Sequence, residues 1–172
     1  MIINVPRETA AGEKRVALSP EGVSKLVKAG HSVRIEGGAG LTSSMSDEQY
    51  RQAGAQIESD NRKLWTEAQV LIKIQSPTDA ELALLPSGAV LVAMLAPLSN
   101  PDRVKALAAK NITSISLEMV PRITRAQKMD VLSSMANVAG YKSVLMAANI
   151  STKFFPMMMT AAGTITPSKV LI

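Results

Sequence analysis

One stretch of the chain gathers side chains suited to binding: Pro121-Arg122-Ile123-Thr124-Arg125-Ala126-Gln127-Lys128-Met129-Asp130. Arg122 offers a rigid fork of donors, Gln127 an amide that both donates and accepts, and Asp130 an acceptor at the start of a helical pattern. A solvated loop with Asp130 as helix cap accounts for the same residues, and composition leaves both readings open. Other chemistries are thinly provided for. The 172 residues include no Cys, which excludes disulfides, thiolate metal sites and cysteine nucleophiles. The single histidine, His31, rules out a multi-histidine metal centre. It follows Gly30 and opens a strand, and so reads as a hydrogen-bonded structural residue. Gly37-Gly38-Ala39-Gly40 also follows a strand. The third glycine of a dinucleotide fingerprint would fall where Thr42 or Ser43 stands, so a tight turn is expected. Met157-Met158-Met159 reads as adaptable packing.

These residues need elements to hold them. Ile2–Val5 reads as a strand, and Ser19-Pro20-Glu21 opens a helix that Gly30 ends. His31–Glu36 is a second strand, and Ser46 caps a short helix ended by Gly54. A helix over Asn61–Ala68, a strand over Val70–Ile74 and a short helix between Pro77 and Leu85 follow. Ala89–Leu95 is apolar on both faces, as a strand inside a parallel sheet is. A helix over Asn100–Lys110 and a strand over Ile112–Ser116 precede the polar loop Glu118–Lys128. A long helix then runs from about Asp130 to Ile150. Strands separated by helices of this length specify an α/β fold with an open, mostly parallel sheet flanked by helices. Residues 1–150 are read as one α/β lobe. Residues 151–172 change character and read as a connector ending in an incipient strand, Lys169–Ile172.

Composition narrows the partners. Apolar residues make up 47% and charged residues 19%, which is a globular composition. The net charge of +5 comes without interleaved aromatics, so no nucleic-acid partner is expected. No stretch approaches the ~20 apolar residues of a membrane span, and the opening residues carry no basic leader. A cytoplasmic protein with no direct membrane insertion is expected.

Several motifs resemble a known superfamily. Arg7-Glu8, Lys14–Pro20, Gly30-His31-Ser32-Val33 and Gly37–Gly40 resemble the start of the alanine dehydrogenase and proton-translocating transhydrogenase superfamily. Val120–Gln127, Asp130–Tyr141 and Met159–Ile172 are similar to the transhydrogenase alpha subunit. The resemblance implies a Rossmann/flavodoxin-like lobe, the first of two, with residues 151–172 leading into the opening strand of a second, NAD-binding lobe. It also implies roles. Arg122 would hydrogen-bond the nicotinamide amide of NAD(H), and Gln127 would reach NADP(H) on a partner subunit. Asp130 would hold the loop, while Ser133 and Tyr141 would support the ring's pocket.

The departures from alanine dehydrogenases matter equally. Their substrate-binding lysine falls at Gln75 here, and their catalytic histidine at Ala96, although Arg15 is retained. Alanine oxidation needs a general acid/base, whereas hydride transfer between two nicotinamides needs positioning and exclusion of water. The resemblance therefore implies the NAD(H)-binding component of a proton-translocating NAD(P) transhydrogenase. Implied partners are the membrane and NADP(H)-binding subunits and a second copy in a homodimer, with the protein peripheral to the inner membrane. The isolated chain, ending before a glycine-rich phosphate turn, is expected to be inactive and to bind NADH no better than about millimolar. The alternatives are an alanine-dehydrogenase-like lobe and a non-enzymatic module that pairs with other subunits.

Overall fold

Helix starts in this chain are set by side chains that satisfy free backbone N–H groups. Ser19 accepts from the Gly22 N–H ahead of helix α1 (Pro20–Lys28), with proline in its first turn. Ser46 and Gln49 form a reciprocal capping box on α2 (Asp47–Gln52), as Thr78 and Glu81 do on α4 (Asp79–Leu84). Asp60 caps α3 (Asn61–Thr66) through the Lys63 N–H. Helix α5 is Pro101–Ala109. The strands between them are β1 (Ile2–Val5), β2 (Ser32–Glu36), β3 (Gln56–Glu58), β4 (Val70–Ile72), β5 (Val90–Ala93) and β6 (Thr113–Ser116).

The computed structural model describes residues 1–171. The strands form one sheet in the order β3-β2-β1-β4-β5-β6, with every pairing parallel. This is a doubly wound order, and its direction reverses between β1 and β4. On one face, α1 and α2 bury Val23 and Tyr50 against Ile3, Val5, Val33 and Ile35. On the other, Leu64 and Trp65 of α3, Leu82 of α4 and Leu107 of α5 pack with Leu71 and Leu91. Buried Asn4 ties the layers together, its amide donating to the Leu64 carbonyl at 2.6 Å.

The chain divides into two compact units, Met1–Ala126 and Gln127–Ile172, each described by itself. The sequence reading divides the chain after Ile150 instead, beyond the long helix. The second unit contains that helix, α6 (Val131–Ile150), and an antiparallel hairpin of β7 (Met158–Thr160) and β8 (Gly163–Ile165). The long helix starts where expected.

Several expectations need correction. The sequence reading has no strand at Gln56–Glu58 and no hairpin in the connector. Strand β2 starts at Ser32, one residue after His31, and β4 ends at Ile72, short of Ile74. Residues 169–171 are irregular and pair with no strand, and Ile172 lies outside the described residues. The His31 Nδ1 atom is buried with no hydrogen-bond partner, contrary to the expected bonded histidine.

Candidate functional site

Because all six strands run parallel, the segments following them share one edge of the sheet, where open α/β folds place their ligands. The Gly37–Gly40 turn lies there and is closed to phosphate. Its Gly38 N–H donates to Asp47 Oδ1 at 2.9 Å. Glycine is required at position 40 by packing, since a Cβ there would lie 2.6 Å from both the Met45 carbonyl oxygen and the Tyr50 ring. The expected tight turn is what the backbone forms, with Ala39 N–H bonded to the Glu36 carbonyl.

At the switch point between β1 and β4 the crevice is filled from within. Glu8, past the end of β1, accepts the N–H groups of Ile74 (2.6 Å) and Gln75 (3.3 Å), past the end of β4. The Lys73 ammonium, only 2% exposed, lies 3.6 Å from the Glu8 carboxylate and 3.2 Å from that of Glu81. A buried cation is thus compensated by two carboxylates from different elements. Next to it, Arg15 grips Glu13 with two donors at 2.7 and 2.6 Å, and Gln75 donates to the same carboxylate at 2.7 Å. The Arg15 hydrogen bonds hold the Glu13 carboxyl down at about 2, against a usual 4.5. Glu13 in turn raises the Arg15 pKa.

Past β5 the backbone of Ala96 takes φ +48°, unusual for a residue with a Cβ. Its N–H donates to the carboxylate of Glu118, which follows β6. Burial opposes the Glu118 charge, yet the backbone N–H groups around it keep its carboxyl below the usual range. None of Glu8, Lys73, Glu81 and Glu118 stood out as a site residue in the sequence reading. The bonds Lys73–Glu81, Glu118–Ala96 and Glu8–Gln75 span 8, 22 and 67 residues along the chain, so no local spacing marks them as one cluster.

The segment that carries Arg122, Gln127 and Asp130 comes after β6. In the first unit, Arg122 is exposed and forms no ion pair among the described residues, as is also true of Arg125. In the second unit, Gln127 is exposed and accepts the Asp130 N–H at its backbone carbonyl. Asp130 caps α6, accepting from the Ser133 N–H at 2.9 Å and the Ser133 hydroxyl at 2.6 Å. Tyr141 is 70% exposed. It stands about 12 Å along the helix axis from Ser133 and about 80° around it. The structure therefore groups Gln127, Asp130 and Ser133 at one helix start, places Tyr141 two turns on, and leaves Arg122 in the other unit.

The charge distribution suits anionic ligands. Residues 1–118 are balanced, so the whole net charge of +5 falls in residues 119–172, where Asp130 is the single carboxylate. Among the described residues no cluster of His, Asp and Glu could hold a metal ion, and no helix is long and apolar enough to cross a membrane.

Comparison with known proteins adds to this geometry. The family model described as alanine dehydrogenase/PNT, N-terminal domain, matches residues 4–139. An NAD(P) transhydrogenase alpha subunit chain of Rhodospirillum rubrum is 46% identical over 177 residues, spanning 100% of this chain and 46% of that protein. Alanine dehydrogenase of Bacillus subtilis is 38% identical over 154 residues, spanning 90% of this chain and 39% of that protein. The crystal structure of transhydrogenase from Sinorhizobium meliloti matches with a TM-score of 0.90 at 42% identity, over 97% of this chain and 50% of that one. The chain spans about half the length of these transhydrogenase relatives.

Proposed function

Because the chain belongs to the alanine dehydrogenase/PNT N-terminal domain family, we propose that it is part of the NAD(H)-binding component of a proton-translocating NAD(P) transhydrogenase. The observation that carries this reading is the pair of residues past β4 and β5. Gln75 and Ala96 stand where the resemblance to alanine dehydrogenases implies a lysine and a histidine. Gln75 is committed to Glu13, and Ala96 offers only backbone. Oxidation of an amino acid requires a group that moves a proton at the reacting centre. Neither residue can do so.

Transfer of hydride from one nicotinamide to another makes different demands. The dinucleotides supply the hydride chemistry, and the protein orients the rings about 3–3.5 Å apart and keeps water out. In this reading the Arg122 guanidinium donates to the carboxamide of NAD(H) and fixes the ring's rotation. Gln127 extends its amide toward NADP(H) on a partner subunit. Asp130 fixes the start of α6 by capping it, and Ser133 and Tyr141 line the ring's surroundings. The free guanidinium of Arg122 and the basic balance of residues 119–172 both fit an anionic dinucleotide.

The chain alone is proposed to be inactive and to bind NADH weakly. It contains no G-x-G-x-x-G, and the switch-point crevice that could seat a pyrophosphate is taken by Glu8. Residues 1–150 would act as the first lobe and 151–172 as a connector to a second. The partners are the membrane and NADP(H)-binding subunits and a second copy of the subunit, with the protein peripheral to the inner membrane.

The test is Arg122→Ala in the full alpha subunit assembled with its partners. Hydride transfer between NADH and an NADP+ analogue should fall by about two orders of magnitude, the cost of losing orientation at the reacting ring, with folding unchanged by circular dichroism. An unchanged rate would remove the loop from the mechanism.

A further inference from the structure

Between β6 and the end of the first unit, the chain carrying Arg122 has little to hold it in place. After β6 it makes a short turn (Leu117–Met119), with Val120 N–H bonded to the Leu117 carbonyl. Ile123 N–H bonds to the Pro121 carbonyl, and Ala126 N–H to that of Ile123. These bonds stay within three residues and cannot fix the segment relative to the sheet. One bond does reach another element: at the near end the Glu118 carboxylate takes the N–H of Ala96, 22 residues back and just past β5.

Ala96 is itself held on both sides. Its carbonyl accepts the N–H groups of Ser99 and Asn100, at 3.0 and 2.9 Å, and its N–H is given to Glu118. A left-handed alanine is strained and persists where its surroundings over-determine it. Here that conformation aims the N–H across from β5 to the segment after β6. The other Glu118 oxygen is buried without a hydrogen-bond partner, and the bond to the Ala96 N–H carries the carboxylate across to the end of β5. Glu118 sits four residues ahead of Arg122.

We infer that Glu118 is a positioning residue, tying the Arg122 loop to the left-handed Ala96 at the end of β5 and so setting where the guanidinium stands. This rests on the reading of Arg122 given above. Glu118 touches no substrate and acts through the loop. Loss of the tie should lower the rate of the oriented step more than it lowers affinity, because in the proposed reading the phosphates and adenosine of the dinucleotide bind a second lobe.

The experiment uses the full alpha subunit with its partners and three variants. Glu118→Asp keeps the charge but is one methylene too short to reach Ala96 from the same backbone. Glu118→Gln keeps an acceptor oxygen at full reach, and Arg122→Ala removes the group being positioned. Hydride transfer is read as kcat and KM for NADH, and exchange of the Ala96 amide proton is read by NMR on the alpha subunit. Glu118→Asp should lower kcat about 10- to 100-fold with KM changed less than about threefold, and release the Ala96 amide. Glu118→Gln should retain most of the rate and the amide protection. A Glu118→Asp variant with wild-type kcat, or a Gln variant as impaired as the Asp one, overturns the inference. If Arg122→Ala also transfers hydride normally, the proposed function fails and the positioning role with it. A loss on Arg122→Ala alone overturns only the role of Glu118.

Discussion

Replacing Lys73 by methionine should be among the most damaging single changes available in the first unit. The ammonium is 2% exposed and sits 3.6 Å from Glu8, itself 2% exposed, and 3.2 Å from Glu81. Methionine nearly matches the volume, so the cavity contribution is small. What remains is a carboxylate left inside without its cation, and breaking a buried pair from one side costs about 3–5 kcal/mol. Glu8 keeps two backbone donors, from Ile74 and Gln75, which places the expected loss near about 3 kcal/mol. With an m-value of about 2 kcal/mol/M in urea, the midpoint should drop by about 1.5 M. The double variant Glu8→Gln/Lys73→Met removes both charges, so it should lose clearly less than the two single losses combined. A midpoint within about 0.5 M of wild type for Lys73→Met, or strict additivity in the double variant, would refute the view that charge pairing holds this edge together.

Two further outcomes concern the same edge. Gly40→Ala puts a methyl 2.6 Å from the Met45 carbonyl oxygen and from the Tyr50 ring, so about 2–3 kcal/mol of stability should go, read by thermal melting. Glu13 has a folded pKa of about 2, below its usual 4.5, so the stability it contributes is present above 4.5 and lost as the pH falls from there through 2. Glu13→Gln should therefore flatten the decline in melting temperature between pH 5 and pH 2, and an unaltered slope would show that the Arg15–Glu13 pair is not what fails in acid.

Most of the sheet was legible because β1, β2, β4 and β5 carry β-branched apolar residues and the helices are capped by Ser19, Ser46 and Asp130. The short edge strand β3 was not, since only Ile57 of its three residues is apolar. The hairpin of β7 and β8 turns through Ala161-Ala162, which carries no turn signature. The parallel arrangement followed from alternation of strands and helices, but the strand order did not. That order brings Glu8 to Lys73 and Glu118 to Ala96, pairs invisible to any local window. Arg122, Gln127 and Asp130 could be singled out because they crowd one loop. The side chains that brace the sheet edge are ordinary charged residues until the topology brings them together.

The pairing of β1 with β4 also bears on how the chain is made. Ile3 finds its partner Val70 only after 66 intervening residues have been synthesised. At about 5–20 residues per second, that leaves one side of β1 unpaired for roughly 3–13 s after its own synthesis. During that interval an apolar strand presents an open hydrogen-bonding edge to its surroundings. Slowing elongation between positions 6 and 70 would lengthen the exposure and lower the soluble yield, whereas slowing after position 72 would leave it unchanged.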